Sequence, residues 1–126
     1  MSERAELLVL VVDYEHMLQE VCDQIKIDAG VNRILCESTL DGAISAVDAD
    51  EVDIIVVNKE LDVDFQLAEM YPRMVTYYAD SRHNTNRIES FGYRAAHYIE
   101  REKGFGELDL VLEVAMYKGR LACLMT

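Results

Sequence analysis

VDIIVVNKELD, residues 52–62, carries an apolar run that stops abruptly on polar side chains. Ile54–Val57, led in by Val52, show no apolar-polar alternation, so they read as a strand buried on both faces. The run passes straight into Asn58, Lys59 and Glu60. In open α/β sheets, ligands sit beyond the carboxyl ends of the strands, so this exit is where chemistry is expected. The problem it poses is what an uncharged amide does there.

Outward from this strand the pattern repeats. ELLVLVVDYE (6–15) is a buried strand ending on acids, and NRILCES (32–38) is a shorter one. RMVTYYAD (73–80) and RAAHYIE (94–100) complete five. Between them lie stretches with helical spacing. In residues 16–30, Met17, Leu18, Val21, Cys22 and Ile25 share one face, and Gly30 is a natural C-cap. In 39–50 the apolar positions are Leu40, Ala43, Ile44 and Val47. Residues 63–71 allow a short helix, 84–92 a weaker one, and 106–122 a long final one. Five strands alternating with five helices predict a single-domain α/β protein, a three-layer α/β/α sandwich around a parallel sheet.

Charge bounds the partners. The net charge of −12 argues against direct binding to nucleic acid. It is unevenly spread: residues 1–70 hold 17 acids and four bases, residues 71–126 seven and eight. A protein partner contacting the second half would lie clear of the first half's negative field. No apolar run approaches the ~20 residues of a membrane span, and the N-terminal apolar stretch reads as a strand and not a signal peptide. A cytoplasmic protein with no membrane partner is expected. Cys22, Cys36 and Cys123 are widely spaced with no CxxC, and read as reduced, mostly buried thiols.

These residues resemble the response-regulator receiver domain over about residues 6–118. That family opens with a strand ending in an acidic cluster, here LVLVVDYEH, and places its phosphoryl-accepting Asp at the end of the third strand, here VDIIVVNKELD. It carries Thr or Ser at the end of the fourth strand, and an aromatic three residues before a Lys on the fifth, here Tyr98 and Arg101. The resemblance implies a CheY-like (βα)5 fold, flavodoxin-like, with strand order 2-1-3-4-5. It places Asp13 and Tyr14 on the first two acidic positions, with Glu15 beside them, and Asn58 on the phosphoacceptor. The Thr/Ser position is Tyr77 counted from Pro72, or Ala79 counted back from Arg101. Glu102 stands where a Pro commonly follows the Lys.

Phosphoryl transfer needs a carboxylate nucleophile and carboxylates to hold a divalent cation. An Asn amide is a poor nucleophile, and a neutral Tyr14 phenol does not replace a hard anionic ligand. Asp13 and Glu15 remain as a weak metal site at best. The expectation is therefore a pseudo-receiver: no enzyme, no cofactor, and no phosphorylation by the usual route. Arg101 is expected to pair with Asp13 or Asn58 as an internal clamp. In receivers, signalling runs through the fourth helix, fifth strand and fifth helix. The resemblance thus points to Tyr98 as a switch and to Arg82, His83, Arg87 and Arg94 around that surface. The last helix carries a core stripe (Leu108, Val111, Leu112, Ala115) and a second stripe (Leu110, Val114, Tyr117, Leu121) suited to a partner, either a histidine kinase or output domain or a second copy. Two rival readings stand beside this one. A phosphoryl-accepting receiver would use Asp62, Asp64, Asp13 or Glu15. A flavodoxin-like or cobalamin-binding protein lacks support, because the first strand has no Gly/Ser/Thr-rich phosphate loop and DYEH does not match the cobalamin motif.

Overall fold

The computed structural model describes residues 7–79 and 97–115. The expected helix at 84–92, and Arg82, His83, Arg87, Arg94, Tyr117, Leu121 and Cys123, lie outside the described residues.

Five strands form one parallel sheet: β1 (Leu8–Val12), β2 (Arg33–Glu37), β3 (Ile54–Asn58), β4 (Val75–Ala79) and β5 (His97–Glu100), in the order β2-β1-β3-β4-β5. The expected strand order 2-1-3-4-5 is the observed one. Helices α1 (Leu18–Ala29), α2 (Leu40–Ala49) and α3 (Gln66–Met70) connect the first four strands, and residues 108–115 form a C-terminal helix. No helix among the described residues is long and apolar enough to cross a membrane.

The unbroken apolar runs are explained by two cores. Successive strand side chains point to opposite faces. Val9, Val11, Ile54 and Val56 therefore pack against α1 and the C-terminal helix, through Val21, Ile25, Leu108 and Leu112. Leu10, Val12, Ile55 and Val57 pack on the other face, with Ala43 of α2 and Leu67 and Ala68 of α3. Burying each such side chain stabilises the fold by roughly 1.5–3 kcal/mol, so β1 and β3 stay apolar until they leave the sheet.

Local signals set the element ends. Gly30 closes α1 in the left-handed region at φ 70°, donating to Lys26 O, as its place after the apolar stripe predicts. Thr39 caps α2, its Oγ1 accepting from Gly42 N at 3.0 Å. Asp53 ties the start of β3 to β1: its Oδ2 accepts from Leu8 N at 2.8 Å, and its own N–H donates to Leu8 O. Helix α3 is only five residues long and follows Phe65, a bulky residue at φ 55°.

Candidate functional site

At the carboxyl edge of the sheet a cleft of about 310 Å3 is lined by Tyr14, His16, Met17, Asn58, Glu60, Tyr78, Ala79 and Arg101. Beneath it lies Asp13, fully buried at the exit of β1. A buried carboxylate is costly unless hydrogen-bonded, and this one accepts three bonds. Oδ1 takes the Tyr14 backbone N–H at 2.6 Å and the Asn58 Nδ2–H at 2.9 Å. Oδ2 takes the Tyr78 hydroxyl at 2.5 Å.

This answers the problem posed by Asn58. Its amide donates to Asp13 on one side, and its Oδ1 accepts from Glu60 N at 3.0 Å on the other, capping the short turn Lys59–Leu61. Because one neighbour can only accept and the other can only donate, a single amide orientation satisfies both. An aspartate has no donor for the first bond.

The strand register separates two adjacent tyrosines. Asn58 pairs with Tyr78, not Tyr77. Tyr78 enters the α1 face and reaches Asp13, with its ring edge-on to Phe105 at 5.3 Å. The count from Pro72 that put Tyr77 at this cleft is corrected: Tyr77 points into the opposite core, where its hydroxyl donates to Asp62 Oδ2 at 2.6 Å. Ala79, reached by the other count, lines the cleft. Tyr78 was missed, although the alternation of side chains along β4 carries the signal. Burial first, then the hydrogen bond to Asp13, push the Tyr78 phenol well above its ordinary value, so it stays a proton donor. Burial, then Asp62, do the same for Tyr77.

Two other expectations change. Arg101 does not clamp Asp13 or Asn58. It lines the cleft, but its Nη2 donates to Glu20 Oε2 on α1 at 3.2 Å, an exposed pair. Asp62, weighed as a displaced phosphoacceptor, is 2 % exposed and occupied. Its oxygens accept from Gln66 N, Leu67 N and Tyr77. Asp64 and Glu15 are exposed and line neither this cleft nor Asp13's shell.

Lys59 was read as a polar exit residue and is instead 5 % exposed. Its Nζ donates to Val63 O at 2.7 Å and lies 4.1 Å from the Phe65 ring centroid, a cation–π contact strengthened by desolvation.

The resemblance read from the sequence implies a divalent cation at this edge, and the residues present do not fit one. Asp13 spends its oxygens on three donors. Tyr14 stacks on His16 at 5.8 Å. Partial desolvation, then the neighbouring Glu60 carboxylate, hold its phenol above the ordinary value and therefore neutral. Among the described residues, no group of three or more His, Cys, Asp or Glu side chains could hold a metal.

The remaining expected residues fall apart from the cleft. Tyr98 is buried in the core facing α2 and α3. Leu110 and Val114 are 70 % and 52 % exposed, while Leu108 and Leu112 are fully buried, so the described part of the C-terminal helix has one buried and one exposed apolar edge. Leu110 and Val114 border a hollow of about 570 Å3 at the opposite end of the strands, with Val52, Pro72, Met74 and His97.

No family model and no curated protein matches the sequence. Solved structures do resemble the fold. A response regulator receiver domain protein from Clostridium thermocellum superposes with a TM-score of 0.71 at 18% identity, covering 92% of this chain and 98% of that one. NtrX from Brucella abortus gives 0.73 at 16% identity, over 93% of this chain and 29% of the longer protein. The chain therefore has the fold of response-regulator receiver domains.

Proposed function

We propose that this chain is a pseudo-receiver, a signalling domain that acts by docking to a protein and accepts no phosphoryl group. One observation carries the reading. Asn58, at the phosphoacceptor position of the fold, is bonded on both sides of its amide, to Asp13 and to Glu60 N. The three donors on Asp13 and the neutral Tyr14 support it, since the donors compete with a cation for the carboxylate and the phenol offers no anionic oxygen. The internal hydrogen bonds take the place that metal and phosphate would occupy. The exposed stripe of Leu110 and Val114 supports a partner on the C-terminal helix, either an output or kinase domain or a second copy.

Acetyl phosphate with magnesium, followed by intact mass at neutral pH, tests the reading. The unmodified chain is expected to show no phosphoryl adduct, where a phosphorylated aspartate would add about 80 Da. An acid-labile adduct overturns the proposal.

A further inference from the structure

Cys22 and Cys36 belong to no part of the cleft, and their sequence spacing did not pair them. The fold brings their sulfurs to 3.0 Å. Cys36 lies on the edge strand β2 in register with Val11 of β1, which turns it to the face that α1 covers. Cys22 sits on that covering side of α1, 6 % exposed, while Cys36 is exposed. Both are free thiols. A disulfide needs its sulfurs at about 2.0 Å, so closing the bond asks for an approach of about 1 Å, within reach of side-chain rotation and a small helix shift.

We propose that Cys22 and Cys36 form a thiol modification site, in which a hydroperoxide oxidises Cys36 and Cys22 then closes on it as a reversible intramolecular disulfide joining α1 to β2. The reading is independent of the docking function. In the first step the Cys36 sulfur attacks the peroxide oxygen, the O–O bond breaks, and an alcohol or water leaves. Cys36 is oxidised by two electrons to a sulfenic acid and the peroxide is reduced. In the second step the Cys22 sulfur attacks the Cys36 sulfur. The S–O bond breaks, the S–S bond forms, and the hydroxyl departs as water with the Cys22 proton.

Exposure and burial divide the roles. Burial, then the contact with Cys36, push the Cys22 thiol up to about 12, so Cys22 stays protonated and does not meet the oxidant first. Cys36, at the surface, does. Adjacent Cys22 then intercepts the sulfenic acid before it is oxidised further. The bond would add a covalent tie to a helix whose inner face is held by apolar packing of Val21, Ile25 and Ala29.

The test uses the full chain with Cys123→Ser, treated with hydrogen peroxide and digested with trypsin without reductant. The expected product joins residues 5–26 to residues 34–59 with the loss of two hydrogens, and dithiothreitol separates them. The linked form is expected to melt about 5–10 °C higher, reverting on reduction. In Cys22→Ala, Cys36 is expected to stop at a dimedone-reactive sulfenic acid. Recovery of Cys36 as sulfinic or sulfonic acid beside a free Cys22 overturns the proposal. So does a Cys36 cross-link between two chains, or a linked form that melts below the reduced one.

Discussion

At position 58 an aspartate would lose the Nδ2–H that reaches Asp13 and would set a second negative charge about 2.9 Å from the first. Two carboxylates that close cannot both ionise cheaply. The pair in Asn58→Asp would therefore titrate above an isolated carboxyl, and its native state would be favoured only where one of the two is protonated. Stability is expected to fall by about 1–3 kcal/mol at neutral pH and to recover as pH drops towards about 4. Urea titrations across that range check this, and a deficit that does not shrink in acid would remove Asn58 from the Asp13 shell. The sequence exposed the missing nucleophile at 58 but not its replacement bond. Which neighbour the amide faces depends on the β1–β3 register, and which tyrosine joins it on the β3–β4 register, where a slip of one residue exchanges Tyr77 for Tyr78 on the cleft side. The burial of Lys59 escaped notice for a related reason: its partners, Val63 O and the Phe65 ring, are set by a tight turn with no sequence period.

Among the elements, the C-terminal helix makes the clearest claim. Its core stripe and exposed stripe were both readable from 3.6-residue spacing, because Leu108 and Leu112 lie one turn apart, as do Leu110 and Val114. The second stripe has no core left to enter. Replacing Leu110 and Val114 together by Glu is expected to leave the melting temperature within a few degrees, since surface changes move stability by about 0.5 kcal/mol or less. The same change is expected to abolish any concentration-dependent association seen by sedimentation. Unchanged association would move the partner surface elsewhere. Arg101 shows the converse limit. A basic residue after the fifth strand could be placed at the cleft, but its choice of Glu20 over Asp13 depends on how α1 docks, which composition does not encode.

For the whole molecule, the arrangement of layers was readable because both-faced burial of strands demands helices on both sides. The meeting of Cys22 with Cys36 was not, since it joins a helix face to a strand face across the packed layer. Both buried phenols, Tyr77 and Tyr78, titrate above their unfolded value of about 10. A raised folded pKa favours the protonated native form, so this stability is complete below about pH 10 and is lost as pH rises past it. Two of the seven tyrosines are therefore expected to ionise only as the fold opens, with ultraviolet absorbance and circular dichroism changing together. Ionisation of all seven before the dichroism changes would contradict the two aspartate bonds. These phenols are consecutive on one strand, yet they enter opposite cores, Tyr78 reaching Asp13 at the exit of β1 and Tyr77 reaching Asp62 ahead of α3. β4 thus works as a rivet through the sheet: a slide along its axis would unseat both heads at once.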